Sequence, residues 1–217
     1  SNLGNRPLLH RLLPIAELRQ RYLAHMRTVL QESYHPAVLT PFINSLTSLS
    51  VTSIVADPNK NFTMASYTNA VVALKTFVTN RYNFLTNHAE LRPLPPIIGL
   101  VSPPAIAPTA GETPFVTAQV AAASAADGID SVWLYHRGHA YGRFAVAQMF
   151  DDGAHGDGAA ADGVFGAATT NYPAGTKVRF YIEARSANAA KAAAFSPARA
   201  ENETFNYRVA VTTASNS

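Results

Sequence analysis

No cysteine occurs in this 217-residue chain. Disulfides and thiolate metal sites are thereby excluded, although the absence assigns no compartment. Charge is also scarce. Only 14% of the residues are charged, against about a quarter in an ordinary globular domain. The surface must therefore be rich in Ala, Ser, Thr and Asn. The net charge of +3 comes with no basic stripe interleaved with aromatics, so no nucleic-acid partner is expected. The nearest approach is Arg19, Arg21 and Arg27 at helical spacing among apolar residues, a pattern expected to form a solvated helix face. No apolar run reaches the roughly 18 residues a bilayer crossing needs, so no membrane span is expected. There is no leader-like start and no initiator Met. The opening Ser1-Asn2-Leu3-Gly4-Asn5 is expected to continue a longer protein. Gly-x-Ser-x-Gly, His-Glu-x-x-His and a phosphate loop are all missing, and no catalytic residue can be assigned.

Hydrophobic residues make up 47% of the chain, enough for substantial cores. In the first ninety residues they recur at helical spacing. Residues 6–13 predict one or two turns ahead of Pro14. Ile15, Leu18, Tyr22, Met26 and Val29 or Leu30 then mark an amphipathic helix that stops before Pro36, because proline disfavours a helical residue in front of it. Val38, Phe42, Leu46 and Leu49 mark a second helix over about 36–55. Asp57-Pro58-Asn59-Lys60-Asn61 is turn chemistry. Tyr67, Val71, Leu74, Val78, Arg81 and Leu85 mark a third helix, with Thr63 or Ser66 as its N-cap. These stripes are wide, as if more protein once covered them. Asn61 and Asn202 each open a glycosylation sequon.

Composition changes abruptly at residues 92–109, where six prolines fall in a semi-rigid hinge. Ile97 to Val101 within it can serve as a first strand, because proline is tolerated at strand starts and edges. Period-two alternation follows. It involves Val116, Ala118 and Val120; Val132 and Leu134; Phe144 and Val146; and Phe205, Tyr207, Val209 and Val211. The clearest run sets Val178, Phe180, Ile182 and Ala184 against Lys177, Arg179, Glu183 and Arg185, with Tyr181 alone interrupting the polar row. One apolar and one polar face per strand is the pattern of antiparallel sheets. About seven strands in roughly 115 residues predict an immunoglobulin-like or fibronectin-type sandwich. The expected fold class is therefore α plus all-β in two domains. A small helical bundle-like segment (1–91) is followed by the hinge (92–109), a β-sandwich (110–211) and a short tail (212–217).

Between two of these strands, residues 151–163 gather four aspartates and four glycines in thirteen positions. Asp151, Asp152, Asp157 and Asp162 could supply carboxylates to calcium, which takes six to eight oxygens in flexible loops. The spacing is not that of an EF-hand, since Ala154 and Gly156 occupy the third and fifth positions counted from Asp152. Turn chemistry, with Asp accepting local N–H bonds and Gly supplying positive φ, weighs above the ion. Weaker signals accompany it. Gly156-x-Gly158-x-x-Ala161 matches a dinucleotide fingerprint by letter but lacks the βαβ context. His136 and His139 lack a third metal ligand. Trp133 and Tyr135 share a strand face as core, edge or sugar platform.

Two resemblances follow from these residues. Residues 5–13 (Asn-Arg-Pro-Leu-Leu-His-Arg-Leu-Leu), 17–23, Ala56-Asp57-Pro58 and Arg81-Tyr82-Asn83-Phe84-Leu85 resemble the C-terminal end of the CotH-type spore-coat kinase family. The family resemblance implies an atypical protein-kinase-like fold that phosphorylates proteins with ATP. Its nucleotide-binding lysine and metal-binding aspartates lie upstream of this region, so no position here matches them. Residues 149–158, Asp162-Gly163-Val164-Phe165, 180–184 and Ser196-Pro197-Ala198 resemble a sandwich module of secreted bacterial proteins, and such modules follow CotH-type segments. The expectation is a non-catalytic C-terminal portion of a kinase-like protein whose partner is the missing kinase core, placed outside the cytoplasm or at a bacterial cell surface. The alternative is an extracellular module for carbohydrate or protein, with a structural calcium loop.

Overall fold

A computed structural model describes residues 6–211. The opening pentapeptide and the tail assigned to 212–217 lie outside them. The described chain forms α1 (Pro7–Leu12), α2 (Ala16–Glu32), α3 (Pro36–Ala56) and α4 (Met64–Thr86). Eight strands follow: β1 (Ile97–Ser102), β2 (Phe115–Ala121), β3 (Ile129–Arg137), β4 (Ala145–Met149), β5 (Val164–Ala168), β6 (Lys177–Ser186), β7 (Ala193–Ser196) and β8 (Phe205–Arg208). Two compact units divide these elements. One comprises residues 26–92; in the other, residues up to His25 join residues from Pro93 onward. One seam falls between Arg92 and Pro93. The second lies inside α2.

The unit of residues 26–92 is built from the later turns of α2 together with α3 and α4, and α3 packs on α4. Local chemistry sets the helix ends. Pro36 opens α3 at a position where its missing N–H is harmless, and the His35 ring nitrogen accepts from the Ala37 N–H at 3.1 Å. At the other end of α3, Asp57 accepts from the Asn59 N–H at 2.8 Å. Lys60 Nζ donates to the Val55 and Asp57 carbonyls at 3.1 and 2.9 Å, a cation on helix-end carbonyls that have no intrahelical partner. Thr63 caps α4 by accepting from the Ser66 N–H at 3.1 Å. Leu30, Val78 and Leu91 are buried, but α3 buries no residue at all. The expectation that no stretch suffices for a membrane span needs correcting. Pro36–Ala56 carries no charged residue and is long and apolar enough to cross a bilayer by length and composition. The Ser, Thr and Asn residues interrupting it hid this in the sequence.

The other unit is the antiparallel sandwich. β1, β2 and β5 form one sheet in that order. The second sheet runs β4-β3-β6, and the free edge of β6 pairs with β8 along its first half and β7 along its second. Val116, Ala118 and Val120 of β2, Val132 and Leu134 of β3, and Val178, Phe180, Ile182 and Ala184 of β6 form the core between the sheets with Met149, Ala167, Tyr207 and Val209. β7 was not expected. Alanine is a weak strand former and the strand is only four residues long. Val211, counted in the final alternation, lies beyond β8 and is exposed.

The polar face expected for β6 also needs correcting. Tyr181 and Glu183 are buried at 1% and 0% exposure although they point away from the sandwich core. A second apolar cluster of Ala24, Tyr181, Ala193, Phe195 and Ala200 covers them. The first turns of α2 therefore lie on the outer face of the β3–β6 sheet. Arg21, expected on a solvated helix face, is turned onto that sheet. Arg27 is not free either, since it donates to the Leu91 and Glu90 carbonyls at 3.2 and 3.0 Å within its own unit.

Candidate functional site

The acidic loop runs from the end of β4 to the start of β5. Asp157 is 3% exposed and is the loop's internal anchor. Its Oδ2 accepts from the N–H groups of Asp152 and Gly153, both at 2.8 Å, and its Oδ1 accepts from that of His155 at 2.9 Å. The Gly153 bond, followed by the others, holds its carboxyl below the usual aspartate range. Asp151 spans the loop's base, accepting from the N–H groups of Asp162 and Gly163 at 3.1 and 3.0 Å. Asp162 accepts from those of Ala159 and Val164 at 3.2 and 2.9 Å. Asp152 accepts from the Ala154 N–H at 2.9 Å and sits 2.9 Å from His155 Nδ1, whose contact is the main cause of its lowered pKa.

All four aspartates are thus engaged by the loop's own backbone, which is the turn chemistry described above. Gly153 and Gly156 supply positive φ at 74° and 72°. Against β5 the loop comes very close. A Cβ built on Gly166 would lie 2.1 Å from the His155 carbonyl oxygen. Among the described residues, no three His, Asp or Glu side chains are grouped to hold a metal ion.

The remaining sequence candidates fall in separate places. His136 is buried at 2% exposure with its Nδ1 2.7 Å from the Tyr172 hydroxyl, and burial lowers its pKa. His139 lies exposed in the loop that follows. Trp133 is half-buried, in register with Gln148 on one side and Glu183 on the other. Tyr135 stacks on Tyr181 with ring centroids 4.6 Å apart and planes 4° from parallel.

What sequence reasoning missed is a polar cluster on the outer face of the β3–β6 sheet. Glu183 Oε1 receives Nε and Nη2 of Arg185 at 2.8 and 2.7 Å. Its Oε2 is buried and accepts no hydrogen bond, and Nη1 of Arg21 lies 3.7 Å away. Arg21 Nη2 donates to the Tyr181 hydroxyl at 2.8 Å and to Glu201 at 2.5 Å. The Arg21 guanidinium also lies 5.0 Å from the centre of the Tyr135 ring and 5.5 Å from that of Phe195. Burial opposes its charge, but Glu183 and the two tyrosines outweigh burial and raise its pKa. Burial, reinforced by the Glu183 carboxylate, pushes the Tyr135 phenol up to about 12. His25 stacks on Phe195 at 4.9 Å. Burial first, then Arg21, lowers its pKa. The available signal was Tyr181, a large aromatic standing in a row of charged residues.

Residues 1–85 match the family model described as CotH kinase protein. Residues 114–211 match the model of the conditioned medium factor second Ig-like domain. No curated protein matches the chain.

Proposed function

We propose that this chain, which joins a CotH kinase segment to an immunoglobulin-like domain, is the non-catalytic C-terminal part of a kinase-like protein. Its helical unit is the surface on which the upstream kinase core packs, and its Ig-like domain positions or displays that core. One observation carries the reading. Phe42, Leu49, Phe77 and Phe84 stand 58%, 78%, 59% and 58% exposed on α3 and α4. Large apolar side chains left exposed along both helices point to an interaction site. Protein fits it better than lipid. α3 is interrupted by Asn44 and by serines and threonines, and α4 carries Lys75 and Arg81 among its apolar residues. In hydrocarbon such groups are costly to bury. On this reading the partner is the kinase core of the same parent chain, and the setting is extracytoplasmic or at a bacterial cell surface.

Reconstitution tests it. The segment encoded upstream, produced separately, is expected to co-purify with this chain. Leu49→Asp with Phe77→Asp should abolish the complex while the Ig-like unit's own unfolding transition stays in place. Magnesium ATP is expected to show no binding to this chain alone. Binding of ATP would overturn the non-catalytic assignment. Loss of co-purification together with partitioning of the chain into phospholipid vesicles would overturn the docking surface.

A further inference from the structure

Beside the Arg21 cluster, the outer face of the β3–β6 sheet holds an open hollow of about 420 Å³ that is lined by three arginines from separate parts of the chain. Arg21 comes from α2, Arg137 from the end of β3, and Arg143 from the connection between β3 and β4. Their engagement is unequal. Arg21 is held by Tyr181 and Glu201. The Arg137 guanidinium lies 4.0 Å from the centre of the Phe144 ring and donates from Nη1 to the Gly142 carbonyl at 2.9 Å, and its Nε is buried with no acceptor. Arg143 is exposed and makes no hydrogen bond or ion pair among the described residues.

Among the described residues, Glu201 is the one carboxylate lining the hollow. Its backbone takes a φ of 55°, a left-handed conformation that a non-glycine residue adopts at some strain. Even with the buried Glu183 counted, positive groups outnumber negative ones here. Guanidinium forks match carboxylate and phosphoryl groups in plane and spacing. The Tyr135 and Phe144 rings lie 5.0 and 4.0 Å from the Arg21 and Arg137 guanidiniums, contacts that restrain these side chains, so less side-chain entropy is lost on binding. Glu201 already shows how an oxyanion sits against Arg21.

We propose that this hollow is a binding site for a small oxyanionic group, phosphoryl or carboxylate, held between Arg137 and Arg143 beside the Glu201–Arg21 pair. The inference is independent of the docking role of α3 and α4, and no residue it uses lies on those helices.

The test uses the full chain and its single tryptophan. Trp133 lies two residues from Tyr135 on the same face of β3, so its fluorescence reports on the neighbourhood of the hollow. Inorganic phosphate and acetate are titrated separately, each against sodium chloride at matched ionic strength, because diffuse screening acts on any charged surface. A saturable response to one or both over the chloride control is expected, and the more effective of the two names the ligand class. Arg143→Ala removes an exposed side chain with no partner and should leave the fold intact. It is expected to weaken binding by about tenfold, the loss of one charge-assisted contact. Glu201→Gln, which removes the competing carboxylate, is expected to tighten it. No saturable response in the unaltered chain overturns the site. So does binding whose strength neither substitution changes, since the anion then sits elsewhere.

Discussion

At the scale of single residues, the strongest constraint in the Ig-like unit is the Glu183 carboxylate. It is completely buried, and taking an ion out of water costs several kcal/mol unless partners restore what water supplied. Arg185 supplies the close bonds and Arg21 the more distant one. Removing one partner of a buried pair is worse than removing the pair, because it strands a charge. Arg185→Ala is therefore expected to destabilise the unit by about 3–5 kcal/mol in urea unfolding followed by Trp133 fluorescence. Arg185→Met combined with Glu183→Leu should recover most of that loss, since apolar side chains of similar volume replace buried ion pairs at little penalty. A double variant as unstable as Arg185→Ala alone would show that packing rather than charge is responsible. The sequence displayed both partners, but on β6 they read as a solvated row. Period-two patterning assigns faces of a strand. It cannot say that a helix a hundred and sixty residues earlier supplies a second cover, and that cover is what makes Arg21, Tyr181 and Glu183 a cluster.

At the scale of elements, patterns confined to neighbouring residues were the legible ones. Pro36 and Thr63 mark helix starts, Asp57-Pro58 marks a break, and the Asp-Gly pairs of the acidic loop mark turns, because each acts through its own backbone. β7 was illegible for the opposite reason. Nothing in Ala193–Ser196 prefers a strand, and the segment is extended because the edge of β6 offers it partners. The acidic loop also depends on one contact that its own composition does not reveal. It lies so close to β5 that only glycine fits at 166. Gly166→Ala places a methyl group against the His155 carbonyl, part of a backbone that Asp157 holds in place through the His155 N–H. The expected effect is a loss of about 1–3 kcal/mol, typical of forced overpacking, read as a lower urea midpoint. Chemical shifts should move chiefly in residues 151–163 and the facing part of β5. An unchanged midpoint would mean that the loop does not rest on β5 in solution.

At the scale of the whole chain, two fold types joined by a proline hinge were evident from the change of period, from helical repeats before residue 92 to alternation after it. The seam inside α2 was not, because one continuous helix gives no break in pattern where its packing partner changes. The consequence is that two ionisable groups from distant parts of the sequence, His25 of α2 and His136 of β3, belong to one folding unit. Both have pKa values lowered below 6.5, chiefly by burial. For His25, Arg21 adds to burial, while Glu201 and Glu183 oppose it. Below about pH 6.5 the unfolded chain binds protons that these folded histidines resist, so falling pH favours unfolding there. Their contribution is complete above 6.5 and declines as the pH drops toward the folded pKa values. Asp130, Asp152 and Asp157 act lower down. Their pKa values fall below 3.8 in the folded chain, so their contribution is present above 3.8 and lost beneath it. Thermal melting of the Ig-like unit is thus expected to be flat near neutrality, to decline as the pH falls below about 6.5, and to decline again in stronger acid. Replacing His25 and His136 together with Gln should remove the first decline and leave the second, whatever the substitutions do to the neutral baseline. A first decline that survives the double replacement would assign it to other groups and remove the two histidines from the account.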